Sequence, residues 1–139
     1  KLIDAMTYQN MSEHFDAEPG DIFYIKENAK DLAYTFTEIV KFWRDYAKEN
    51  DQKKIVSEYQ NLIDESDLLK LRIIHGVPEK YLELVKIKQI GRVRAQILYK
   101  NGYKNKTSLK KAPLEKLAAI DKIGIILAKS IKSQVEKVR

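Results

Sequence analysis

Four cations, Lys86, Lys88, Arg92 and Arg94, crowd the glycine at position 91. Residues of these types so close together suit the holding of an anion rather than bond-breaking chemistry. Arginine presents several donors in a planar fork that matches a phosphate. A glycine lets backbone approach another molecule closely. A helix that starts just after it offers N–H groups and a positive dipole end to a phosphate oxygen. With Ile90 and Val93 flanking the glycine, the candidate contact set is Lys86, Lys88, Ile90, Gly91, Arg92, Val93 and Arg94. Cations in a first helical turn oppose the dipole, and a bound anion relieves that conflict.

The element that must position this set occurs twice. "LVKIKQIGRVRAQIL" at 84–98 and "LAAIDKIGIILAKSI" at 117–131 both fit L-x-x-I-x-x-I-G-x-x-x-A-x-x-[LI]. In each copy, helix residues lead to a turn, then Ile–Gly, then a second helix. The isoleucines pin the turn to a core. The alanine four residues after the glycine lets two helices cross closely. This is the pattern of a helix-hairpin-helix, which grips nucleic-acid backbone without reading bases. Two copies 33 residues apart are expected to bury each other's apolar faces as one domain. The second copy carries Ile125, Ile126 and Leu127 after its glycine and is expected to be mainly structural, with Lys122, Gly124 and Lys129 as its candidate contacts.

Charge separates the chain into two parts. Residues 1–69 hold 8 Lys/Arg against 15 Asp/Glu, a net of −7, and residues 70–139 hold 18 against 5, a net of +13. The basic part suits a polyanion, although a lysine-rich solvated surface has the same composition. There is no cysteine in the 139 residues, which excludes disulfides, thiolate metal sites and cysteine nucleophiles. His14 and His75 are the two histidines and lie far apart in sequence, so no metal site is expected. No catalytic constellation of nucleophile and base is present, and no catalytic residue is assigned. The apolar run from Ile123 to Ala128 is too short for a bilayer span, no signal peptide is recognisable, and no membrane association is expected. The chain begins at Lys1 rather than Met, as expected of a piece of a longer protein.

No segment shows useful strand alternation, and the expected class is all-α: a long-helix bundle over residues 1–75, then a tandem helix-hairpin-helix domain over 76–139. One or two short helices are expected within 1–15, with Leu2, Ile3, Met6, Tyr8, Met11 and Phe15 apolar. "DAEPGD" breaks the chain, and Pro19 suits the first turn of the next helix. From Asp21 to Lys48, Ile22, Ile25, Ala29, Leu32, Phe36, Ile39, Trp43 and Ala47 recur at steps of three and four, which predicts a long helix burying that stripe. Phe23, Lys30, Tyr34 and Lys41 fall on its opposite side, within about 40° of one another. Such a stripe suits stacked bases and phosphates. The preferred reading is a central helix covered on both sides, where Phe23 and Tyr34 pack. A second helix is expected from Lys53, broken near Asp64–Asp67 and stopped at Gly76. Pro78 is expected to open another helix, Gly102 to end one, Thr107 to cap a short turn and Pro113 to start the next.

The stretch "IIHGVPEKYLELVKIKQIGRVRAQILYKNGYKN" at 73–105 resembles the C-terminal part of the archaeal Hjm DNA repair helicases, superfamily 2 enzymes related to helicase Q and the helicase part of polymerase theta. "HG", "LxLVxI", "IGRVRA" and "LYxxGxxN" carry the likeness, and "PGDI" at 19–22 looks like the start of that family's ratchet-helix domain. The resemblance implies a ratchet domain whose long helix lies along single-stranded DNA, with Phe23, Tyr24, Lys30 and Tyr34 as possible contacts. It also implies a hairpin domain that holds the 3′ tail. Tyr24 and Asp31 stand where the family has Arg and Trp, and Gln96 replaces the last Arg of its Arg-x-Arg-Ala-Arg cluster. The motor's G-x-x-x-x-G-K-[ST] loop and Asp-Glu-x-His box are absent here. The resemblance therefore implies no cofactor for this piece, and ATP and Mg for the motor of a parent helicase acting in DNA repair and recombination. The implied partners are DNA (single-stranded, forked or junction), the motor domains in cis, and a junction resolvase or sliding clamp. The implied location is the cytoplasm, associated with the nucleoid. Two other readings stand beside this one: a protein-interaction module on a hairpin scaffold, and a small lyase or nuclease, for which no single lysine is marked out.

Overall fold

The computed structural model describes residues 8–136, so the expected apolar positions Leu2, Ile3 and Met6 lie outside the described residues. The described residues form helices α1 (Tyr8–Phe15), α2 (Pro19–Glu49), α3 (Lys53–His75), α4 (Leu82–Val85), α5 (Arg92–Lys100), α6 (Lys106–Lys111), α7 (Leu114–Ala118) and α8 (Gly124–Glu136). A 3-10 turn at Glu79–Tyr81 leads into α4, and no strand occurs among the described residues. The fold is all-α. It divides into two compact units, Lys1–Ile74 and His75–Arg139.

In the first unit, Pro19 sits in the opening turn of α2, where its missing N–H costs nothing. The helix then runs 31 residues without a break, about 46 Å at 1.5 Å per residue. It packs antiparallel on α3 through a narrow seam of small residues. Thr37 Oγ1 donates to the Ala33 carbonyl at 2.8 Å and lies 2.7 Å from Ser66 Oγ, which itself reaches Ala33 O at 3.3 Å. Arg44 donates to Gln60 Oε1 nearer the loop. Two buried hydroxyls thus satisfy each other and one carbonyl, which removes the cost of burying them.

This seam changes the expected packing. The buried residues of α2 are Ile22, Ala33, Thr37, Val40 and Ala47. Of the stripe predicted to be core, Ile25, Leu32, Phe36, Ile39 and Trp43 are exposed, Leu32 at 72%. The two stripes share the same three-and-four spacing and lie side by side on the helix. The one with small residues wins the close approach, and the large residues flank it. Two of the displaced side chains, Leu32 and Phe36, with Leu62 and Leu69 of α3, line an open apolar groove of about 890 Å³ together with Ala29, Ala33 and Ser66. Arg72 lines it, and its Nε is buried without a hydrogen-bond partner.

The break expected near Asp64–Asp67 does not occur; α3 is continuous. Ser66 is buried in the seam, while Asp64 accepts from Gln60 and Asp67 from Lys70, each one turn away on the same helix. Those contacts make the acidic cluster a solvated helix face.

In the second unit α8 packs on α6 and α7, and α5 on α4 and the 3-10 turn. Gly76 follows α3 and Gly102 follows α5 with positive φ (62° and 87°), the left-handed stops expected of them. The cap of α6 is Asn105 rather than Thr107. Its Oδ1 accepts from Ser108 N at 2.8 Å and Ser108 Oγ accepts from Asn105 N, a reciprocal box that places Thr107 inside the helix. Lys132 donates to the carbonyls of Lys110 and Ala112 and ties α8 to the end of α6.

Candidate nucleic-acid interface

The two sequence repeats fold into two equivalent hairpins. Leu84 and Leu117 are fully buried, as are Ala95 and Ala128, and Leu98 and Ile131. Ile87 N donates to Leu84 O and Ile90 N to Ile87 O; 33 residues later Ile120 N donates to Leu117 O and Ile123 N to Ile120 O. The residue before each Ile–Gly takes a left-handed conformation, Gln89 at φ 70° and Lys122 at φ 60°. That residue turns the chain, the isoleucine anchors it, and α5 or α8 starts just beyond. Alanine four residues after the glycine supplies the close crossing predicted from its size.

The glycines themselves differ. Gly124 has φ 63°. Gly91 has φ −83° and ψ −179°, extended backbone open to any residue, and a Cβ there would meet nothing within 4 Å. A left-handed glycine therefore occurs in the second copy only, while left-handed Gln89 and Lys122 turn the chain in both. What Gly91 leaves is open space at the start of α5. Gly91→Ala is accordingly expected to change stability by less than about 0.5 kcal/mol. Gly124→Ala should cost about 1–2 kcal/mol, because its φ disfavours a side chain. Thermal unfolding of both variants checks this. A ligand phosphate seated against Gly91 would make the first, stable variant the poorer binder.

Gly91, Arg92, Val93, Arg94 and Lys122 line one shallow cavity of about 460 Å³. The structure thus brings a cation of the second copy against the arginines of the first. The opening N–H groups of α5, for which a helix has no internal acceptor, lie at the same place. Arg94 is differently engaged from the expectation: its Nε donates to Lys122 O at 3.0 Å and its Nη1 to Gln89 O at 2.8 Å. Ile90 is buried, so its side chain anchors the hairpin. Lys86, Lys88 and Lys129 are exposed but do not line this cavity, and the Lys88 backbone exchanges hydrogen bonds with the Gln134 side chain of α8.

The apolar residues after the second glycine are not all buried. Leu127 is buried, but Ile125 is 48% exposed and Ile126 84%. Ile126 is the counterpart of the exposed Val93, so each hairpin carries an apolar residue two positions beyond its glycine. The 33-residue register was the signal that could have placed both on the surface.

On α2, Phe23, Tyr24 and Tyr34 are exposed, so the packed alternative does not describe them. Lys30, however, is bonded to Glu27 and lies 3.9 Å from Asp31, while Lys41 pairs with Glu38 at 2.8 Å. The Lys30 hydrogen bond lowers the Glu27 carboxyl from its usual range, and the reverse contact raises Lys30. Three carboxylates thus share the face with two lysines. Its aromatic residues can stack, but its charge does not attract phosphate. Lys70 sits 5.6 Å over the Tyr34 ring.

No cluster of three or more His, Cys, Asp or Glu able to hold a metal occurs among the described residues, and none of their helices is long and apolar enough to cross a membrane.

No protein-family profile matches the chain. Individual relatives do. The ATP-dependent DNA helicase Hel308 of Pyrococcus abyssi is 33% identical over 119 residues, 86% of this chain and 15% of its own length. The Hel308 of Thermococcus kodakarensis is 34% identical over 119 residues, 86% of this chain and 9% of its own. The chain is homologous to a segment of the archaeal Hel308 helicases. The Hel308 of Methanocella arvoryzae is 45% identical over 67 residues, 48% of this chain. The chain spans about one-seventh or less of the length of these Hel308 relatives. The likeness to archaeal superfamily 2 DNA helicases is therefore borne out.

Proposed function

We propose that this chain is the DNA-binding C-terminal region of an ATP-dependent 3′–5′ DNA helicase acting on forks and junctions, and that its paired hairpins hold the backbone of the 3′ tail. The observation that carries this reading is the shared cavity between the hairpins, where Arg92 and Lys122 meet beside the opening turn of α5. Donors there lie on backbone and long side chains with no base-reading geometry, which suits sequence-independent binding. ATP and Mg belong to the motor of the parent enzyme, and this region contributes no step of hydrolysis. The division of labour is a ratchet unit at 1–75 and a tail-holding unit at 76–139. The apolar groove between α2 and α3 is where the motor domains, in cis, would lie. A junction resolvase or a sliding clamp would meet the assembled enzyme on DNA, in the nucleoid. Phe23, Tyr24 and Tyr34 contribute stacking at most, given the acidic neighbours of Lys30 and Lys41.

Binding of the chain to single-stranded, 3′-tailed and forked DNA across a salt series tests the reading. Affinity that falls steeply with salt and favours tailed or forked substrates is expected. No detectable affinity at low salt overturns it, and a pull-down of motor domains that persists without DNA affinity would favour the protein-interaction module instead.

A further inference from the structure

Arg94, beside Gly91, is tied to the backbone of both hairpins. Its two hydrogen bonds end on the carbonyls of Gln89 and Lys122. Those two residues occupy the same position in the two hairpins, 33 residues apart, and each is the left-handed residue that turns its chain. Leu127, the counterpart of Arg94 in the second copy, is buried and apolar and can make no such bonds. One side chain therefore serves both turns. We propose that Arg94 is a positioning residue, which locks the two hairpin turns at a fixed spacing so that Arg92, Lys122 and the start of α5 act as a single phosphate clamp.

The chemistry favours this assignment over direct phosphate contact. Two of the five guanidinium donors are already spent on carbonyls. Carbonyl oxygens beside the cavity would repel a phosphate, and the guanidinium neutralises both. Lysine cannot substitute, because a single ammonium lacks the planar fork needed to span two fixed acceptors.

The DNA-binding arm of the test rests on the function proposed above; the exchange arm does not. Amide hydrogen exchange of Ile90 and Ile123 is measured without DNA in the full chain and in Arg94→Lys and Arg94→Gln, with Leu98 and Leu117 as markers of an intact core. Both variants are expected to speed exchange at Ile123 as well as Ile90 by about tenfold, the scale of losing charge-assisted hydrogen bonds, with the core markers unchanged. Affinity for 3′-tailed DNA should fall about tenfold in both, with the salt slope kept, since no phosphate contact is removed. Exchange at Ile123 unchanged in both variants overturns the proposal. So does an Arg94→Lys protein with full affinity alongside an Arg94→Gln protein whose salt slope shrinks by about one phosphate contact. If the unaltered chain binds no DNA, the function fails, and the exchange result still decides Arg94.

Discussion

Arg92→Gln combined with Lys122→Gln is expected to weaken binding of 3′-tailed DNA by roughly 1–3 kcal/mol, uniformly across sequences. The log–log salt slope should shrink by about 1.4 to 1.8, because each lost phosphate contact removes about 0.7 on single strands and about 0.9 on duplex. The two side chains belong to different hairpins yet line one cavity beside Gly91. Lys122 is left-handed, and glutamine keeps that backbone no worse than lysine does. Each single variant should show about half the slope change. Equivalent loss from Lys30→Gln and Lys41→Gln, on the acidic face of α2, would mean that the long helix carries the binding.

Leu98→Ala is expected to cost about 2–5 kcal/mol, the range for fully buried leucines, and Leu117→Ala the same. Both side chains are completely buried, one in each repeat. The unit from His75 to Arg139 has about 65 residues, and at roughly 0.05–0.15 kcal/mol per residue its whole stability is about 3–10 kcal/mol. Either truncation thus removes a large share of it. Arg94 bonds to the Lys122 carbonyl and the Lys88 backbone to Gln134, so the two repeats are tied together and damage in one should unfold both. Urea unfolding followed at probes in α5 and α8 checks this: coincident, lowered midpoints are expected, whereas a second hairpin that survives Leu98→Ala would make the copies independent.

Much of the second unit was legible in the sequence because its signals are local and repeated. The L-x-x-I-x-x-I-G spacing fixed both turns, and Gly76 and Gly102 marked two stops that the structure keeps. The first unit was less legible. Ile25, Leu32, Phe36, Ile39 and Trp43 have ideal helical spacing, yet the contact with α3 uses Ala33 and Thr37 on the adjoining stripe, where Val40 is also buried. Periodicity shows that a helix has an apolar side; it does not choose between neighbouring stripes, and small residues decide the close approach. The acidic run at 64–67 read as a break because its one inward residue, Ser66, is paired with Thr37 from a distant helix. The role of Arg94 was hidden for a related reason. Its acceptors are backbone carbonyls, one of them 28 residues away, and no residue type announces them.

Whether the two hairpins form one site on the DNA backbone is tested by an amide NMR titration of the chain with a 3′-tailed duplex. Gly91, Arg92 and Val93 are expected to shift together with Lys122, Gly124 and Ile125, with one shared saturation point at one DNA per chain. Shifts confined to the first hairpin, or to the α2 face around Phe23 and Tyr34, would contradict it.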